Sequence, residues 1–170
     1  MRTLHILDKK NYNPEWQKFT REAVRAVIIK NKMIALVKSK TDDFFKFPGG
    51  GIEQGESHFD TLMRETQEET GLHIIPQSIK ELGMVWELRQ SIRDKIYYDE
   101  IWEQKSYYYY ADVENIVTEQ NLQEDEKELG FELTWTDFET AYNINMELSK
   151  NYEMTFLVRE AYVLKYLMEE

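Results

Sequence analysis

"FPGGGIEQGESHFDTLMRETQEETGLHI" spans residues 47–74 and brings five glycines and six acidic side chains into one short stretch. Its second half has a helical period. Phe59, Leu62, Met63 and Thr66 fall at i, i+3, i+4 and i+7, Ser57 stands where an N-cap belongs, and Gly71 stands where a helix ends. On that helix Glu65, Glu68 and Glu69 share a stripe beside the apolar face, which anchors three carboxylates at the edge of a core. Crowded carboxylates repel one another unless water or a cation sits among them. Glu65 and Glu69 are one turn apart and can share a cation, and an all-oxygen donor set suits Mg²⁺ or Mn²⁺. Gly49, Gly50, Gly51 and Gly55 let the backbone approach a ligand closely and leave carbonyls free as further donors. The same spacing also describes the solvated face of a surface helix, so charge pattern alone leaves both readings open.

Upstream, "AVRAVIIKNKMIALVKS" holds two β-rich runs, 24–29 and 33–37, broken at Asn31-Lys32 as a central hairpin requires. Residues 1–20 are polar with scattered aromatics and read as a leading strand or arm. Downstream, strand-like runs cover 79–88, 105–113 and 131–135, with a polar stretch before the last. Thr136 and Glu139 have capping-box spacing ahead of "DFETAYNINMELSK", and "FLVREAYVLKYLMEE" forms a final amphipathic helix over 151–170. Strands mixed with helices, with an antiparallel hairpin and no linker or repeat, predict one domain over residues 1–170 of α+β class, a mixed α/β/α sandwich around a central mixed sheet.

The composition narrows the function. A net charge of −11 repels phosphate backbones and anionic surfaces, which argues against nucleic-acid and membrane partners. No apolar run approaches the roughly 18 residues of a transmembrane helix, and the first residues lack a signal peptide's apolar core, so the expected location is the cytoplasm. Without cysteine, any metal is held by oxygen or imidazole.

Gly50, then five residues, Glu56, then seven, Arg64-Glu65, then two, Glu68-Glu69, one more, and Gly71-Leu72: this string resembles the box of the Nudix (MutT-like) hydrolase family. One position departs, since Thr66 stands where a larger aliphatic is usual and brings a hydroxyl that needs a partner. The resemblance implies a Mg²⁺-dependent pyrophosphohydrolase acting on a nucleoside diphosphate linked to another group, with Mn²⁺ as a substitute. It also implies roles for residues. Glu65, Glu68 and Glu69 become metal ligands and catalytic groups, Glu56 a further acid at the metal, Gly49 a carbonyl donor, and Arg64 the side chain that holds a box glutamate in place. The family often adds an acid before the strand that ends in tryptophan; Glu124, Glu126 and Glu128 are the candidates here, with Glu126 favoured.

The small-molecule nucleotide substrate is narrowed less. Nucleotide sugars or ADP-ribose-like compounds stand beside (d)NTPs of the sanitising type, and a catalytically silent nucleotide sensor is the alternative from another class. The region "VWELRQ" lacks the downstream proline that marks ADP-ribose enzymes, and coenzyme A and NADH markers are not evident. Lys38 is a candidate phosphate contact, as is Lys40, and Phe45 and Trp86 are candidates to line a nucleoside pocket. His5, His58 and His73 share no ligand spacing. Two of Tyr107–Tyr110 are expected to face inward, and the stripe of Phe156, Leu157, Tyr162 and Leu164 suits core packing or a homodimer contact.

Overall fold

Strand β2 (Lys18–Val27) carries the architecture, because both faces of its second half, residues 23–27, are covered. The computed structural model describes residues 1–93, 95–150 and 155–170. In the first sheet the order is β1 (Thr3–Asp8), β7 (Lys80–Arg93), β8 (Ile96–Tyr110), β2. The long β7–β8 pair is antiparallel, while β1 joins β7 and β2 joins β8 in parallel, which makes the sheet mixed. A second sheet orders β10 (Phe131–Thr136), β4 (Met33–Ser39) and β3 (Ile29–Lys30), with β5 (Phe45–Lys46) also paired to β4. A small pair joins β6 (Leu72–Ile74) to β9 (Val113–Val117).

Helix α1 (His58–Thr70) covers one face of β2, packing Leu62 on Val24, Ala26 and Ile28. Helices α3 (Phe138–Ser149) and α4 (Thr155–Glu169) cover the other, with Ala141, Val163 and Leu164 against Val27, Val85 and Tyr108. The α/β/α sandwich follows. Adjacent Tyr108 and Tyr109 are both buried, one in each core, as alternation in a doubly covered strand requires. Leu157 and Leu164 lie within the core of this chain.

The hairpin exists, though its first arm is short. Asn31 and Lys32 have φ of 52° and 64°, the left-handed pair of a two-residue turn, but only Ile29–Lys30 pairs with β4. The expected 24–29 arm divides at Ile28: residues up to Val27 pair with β8 instead, so the chain changes sheets there. Lys10, Asp43 and Lys95 also have positive φ.

Three local expectations are corrected. Phe59 is not part of the buried stripe; it is 45% exposed and packs edge-to-face with Tyr109. Asp137, not Thr136, caps α3, its carboxylate accepting from the Thr140 amide at 2.8 Å, because Thr136 still belongs to β10. The polar stretch before β10 contains a short helix, α2 (Glu124–Glu128), with Gln123 and Glu126 in a capping box. Ser57 and Gly71 bound α1 as expected, Ser57 exchanging hydrogen bonds with Asp60 and Gly71 in the left-handed region at φ 74°.

Thr66 is fully buried and its hydroxyl has no partner among the described residues. Thr66→Val should therefore stabilise the fold by about 1–2 kcal/mol, since an unpaired buried hydroxyl is exchanged for a methyl of the same shape. A urea midpoint that does not rise would contradict this.

Candidate active site

The glycine-rich segment is laid along β2 before α1 begins. The Ala26 amide donates to the Pro48 carbonyl at 2.8 Å, Val24 to Gly50 at 3.0 Å, and Ile52 to Glu22 at 3.1 Å. Two glycines are dictated by contact. A Cβ at Gly49, where φ is 136°, would sit 2.1 Å from the Val24 carbonyl oxygen, and one at Gly50 would sit 2.3 Å from the Glu65 carboxyl. From the opposite side, buried Asn145 of α3 grips β5: its Oδ1 accepts from the Phe45 amide at 2.9 Å and its Nδ2 donates to the Phe45 carbonyl at 2.8 Å. Glu160 of α4 accepts from the Phe47 amide at 2.7 Å. Backbone leading into the loop is thus clamped by residues a hundred positions away.

Arg64 organises the acids around it. Its Nε and one terminal nitrogen donate to both oxygens of Glu56 at 2.7 and 2.9 Å, and the other donates to Glu65 at 2.8 Å and Glu68 at 3.0 Å. Such a fork fixes several carboxylates at once. Glu56 is consequently held down to about 2 by Arg64 and by the Thr61 hydroxyl.

Glu65, Glu69 and Glu126 converge, each offering an oxygen within 4.8 Å of the others. Burial raises the pKa of Glu65, and the neighbouring Glu69 raises it further. Burial also raises that of Glu69, which is 1% exposed. Glu69 accepts from the Gly49 amide at 2.9 Å and from the Lys46 ammonium. Two desolvated carboxylates with a third at hand form a donor set that a hard divalent cation would satisfy, so these residues fit such an ion. Beside them lies a cavity of about 240 Å³, lined also by Arg21, Arg25, Lys46, Gly49–Gly51 and Asp125. The loop carrying α2 is stitched to α1: the Asn121 amide donates to the Glu68 carbonyl at 2.8 Å, and the Gln120 side chain donates to that of Glu69.

The family model for the NUDIX domain matches residues 19–157. The chain belongs to the NUDIX family. Over 65 residues it is 42% identical to an ADP-ribose pyrophosphatase of Methanocaldococcus jannaschii, an alignment covering 36% of this chain and 37% of that protein, so little more than a third of the relative's length is matched. A NUDIX hydrolase from Nitrosomonas europaea superposes with a TM-score of 0.60 at 16% identity, covering 89% of this chain and 90% of the other, which is a likeness of fold. A MutT/nudix family protein from Enterococcus faecalis superposes with a TM-score of 0.48 at 23% identity, covering 74% of this chain and 46% of the other.

Within this NUDIX chain the box acids divide into two groups. Glu65 and Glu69 meet Glu126, whereas Glu56 and Glu68 are engaged by Arg64 and stand outside that trio. The Gly49 carbonyl accepts a hydrogen bond from buried Arg25. Of the three downstream candidates, Glu126 is the one brought to the box; Glu124 pairs with Lys127 at 2.8 Å and Glu128 is exposed.

The candidate substrate contacts are not brought to this cavity. Phe45 is 3% exposed inside the core, because β5 is pinned between β4 and α3. Trp86 turns away from its neighbour Glu87 along β7 and donates its indole N–H to Glu103 at 3.1 Å. Lys38 pairs with Asp43 at 3.1 Å and Lys40 with Glu132 at 2.8 Å. His58 meets the Tyr109 hydroxyl and His73 that of Thr118, and neither joins the acidic trio. Lys46, Arg21, Arg25, Asn145 and Glu160 escaped the sequence reading. Arg25 alone gave a signal, as a charged residue interrupting an otherwise apolar strand.

Proposed function

We propose that this NUDIX domain, formed by the whole chain, is a pyrophosphohydrolase dependent on Mg²⁺, with Mn²⁺ as substitute. Its substrates would be nucleoside diphosphates linked to a further group, of the ADP-ribose or nucleotide-sugar kind. The observation that carries this reading is the convergence of Glu65, Glu69 and Glu126 beside a cavity that Arg21 and Arg25 also line. Carboxylates and guanidinium groups line the same cavity, an arrangement suited to holding a cation and a phosphate chain together. The named relative's activity on ADP-ribose supports the substrate class.

Water adds across the P–O–P bridge, yielding two phosphate monoesters, which as dianions release two protons. A bound divalent cation supplies charge compensation at the phosphoryl oxygens and favours deprotonation of the attacking water. The protein's part is positioning. Arg64 keeps Glu65 in its rotamer, the Gly49 amide orients Glu69, and Arg21 and Arg25 offer donors to phosphate oxygens. Glu126 accepts from the Gln123 amide through Oε2, which leaves Oε1 to face the ion or to take the proton.

Release of nucleotide from ADP-ribose, nucleoside diphosphate sugars, dinucleoside polyphosphates and (d)NTPs, measured with Mg²⁺, with Mn²⁺ and with chelator, tests the reading. The expected result is chelator-sensitive cleavage of ADP-ribose or a nucleotide sugar. Nucleotide binding without cleavage of any compound would overturn it in favour of a sensor.

Lys46 supplies the positive charge nearest Glu69. Lys46→Met should lower the melting temperature in chelator, because it leaves buried carboxylates uncompensated, and should enlarge the rise in melting temperature on adding Mn²⁺. Equal rises in the two proteins would show that Lys46 does not balance this site.

A further inference from the structure

A second cavity of about 240 Å³ shares Arg21 and Arg25 with the first and extends away from the carboxylates, bounded by Arg89, Gln104, Trp102 and Arg159. Its charge balance is unusual for a chain of net charge −11. Arg159 is committed, to Glu87 at 2.6 Å and Glu160 at 2.9 Å. Among the described residues Arg21, Arg25 and Arg89 have no carboxylate in contact, so three of the four guanidinium groups lining this cavity make no ion pair, and Glu65 and Glu87 act on Arg21 only from farther off. Buried cations are normally paired.

These arginines also retain unused donors. Arg25 is 6% exposed and its Nε has no partner; the Nε of Arg89 has none either. Among the described residues Arg21 donates only to Gln104 at 3.2 Å, and Arg89 only to the Gln90 carbonyl, with its guanidinium 5.1 Å from the Trp102 ring centroid. Stacking on that ring holds the Arg89 fork in a defined plane. Burial lowers the pKa of Arg21, as do the nearby charges of Arg25 and Arg159, and burial lowers that of Arg89. The pocket is thus an electrostatically unfavourable cluster that a polyvalent anion would relieve. A phosphate monoester carries nearly two negative charges at neutral pH, and its oxygens suit guanidinium forks.

We propose that this arginine pocket is a phosphate-binding subsite, and that the enzyme selects substrates bearing a phosphate group beyond the anhydride it cleaves. The selectivity rests on the hydrolase reading above, whereas binding of phosphate does not. With chelator present the acidic trio repels anions from the first cavity, and Arg89 and Gln104 line only the second, so calorimetric titration of the full chain and of variants at these two positions with inorganic phosphate reports on the pocket. Wild type should bind phosphate there. Arg89→Gln should weaken binding at least about tenfold by removing one charged fork. Gln104→Glu places a carboxylate beside Arg21, should keep or raise the melting temperature, and should abolish phosphate binding, which guards against misfolding of the first variant. With Mg²⁺, Arg89→Gln should also lower the kcat/KM ratio of phosphorylated over unphosphorylated ADP-ribose about tenfold. Absence of chelator-resistant phosphate binding, binding indifferent to both variants, or displacement of phosphate by uncharged adenosine would overturn the subsite. Hydrolysis of anhydrides without phosphate binding would sink the subsite and spare the enzyme; phosphate binding sensitive to both variants without hydrolysis would do the reverse.

Discussion

Glu69→Gln is expected to lower metal-dependent kcat/KM by roughly two orders of magnitude or more, since loss of even a residue supporting a metal ligand costs about 10–100-fold. The change is nearly isosteric, but it acts on a residue with no slack. Glu69 is buried, one oxygen accepting from Lys46 and the other from the Gly49 amide. A glutamine must turn its NH₂ toward one of those donors, so the variant should also lose about 1–3 kcal/mol of stability even without metal. Adding Lys46→Met removes one opposing donor and should recover part of that stability, while activity stays lost. Kinetics with a saturating divalent ion and melting curves in chelator read the two effects separately. Near-normal turnover in Glu69→Gln would remove Glu69 from the proposed ion site.

Arg64→Lys is expected to weaken divalent-ion affinity about 10–100-fold while leaving the net charge unchanged. The loss would come from geometry. One guanidinium holds Glu56, Glu65 and Glu68 together at 2.7–3.0 Å, and an ammonium cannot reproduce that fork. The same substitution should alter acid stability. Glu56 is held at about 2, against an ordinary 4.5, so its contribution is present above the ordinary value and disappears as pH falls toward 2. In Arg64→Lys the carboxylate should return toward its ordinary value, and less stability should be lost on going from pH 5 to pH 2. Ion affinity and an acid limb matching wild type would show that charge, not the fork, organises these acids.

How much of this was readable follows from the range over which each signal acts. Helix α1 was, to its ends, because Ser57, the apolar stripe and Gly71 are local. So was the left-handed turn at Asn31-Lys32. The division of β2 from β3 was not, because Val24–Ile29 is apolar on both faces apart from Arg25, and periodicity does not say which sheet a strand covered on both faces will join. Phe45 and Trp86 suggest nucleoside contacts by residue type alone, and an aromatic in a strand is more often packed than presented. Asn145 and Glu160 gave no warning. A lone amide in a helix and a glutamate beside Arg159 become clamps only when α3 and α4 fold over β5. Glu126 stands within a run of acids, and the geometry that brings it to Glu65 and Glu69 depends on the Glu68 and Glu69 carbonyls accepting from the Asn121 amide and the Gln120 side chain of the loop before α2.

Titration of Mn²⁺ by electron paramagnetic resonance, applied to Glu124→Gln, Glu126→Gln and Glu128→Gln beside wild type, tests the central claim most directly. All three variants remove one charge from the same short helix, so general electrostatics affects them alike. Only Glu126 shares oxygens within 4.8 Å of Glu65 and Glu69. The account expects Glu126→Gln to weaken Mn²⁺ at least about tenfold and the other two to resemble wild type. Equal weakening in all three, or none in Glu126→Gln, would contradict an ion held by this trio.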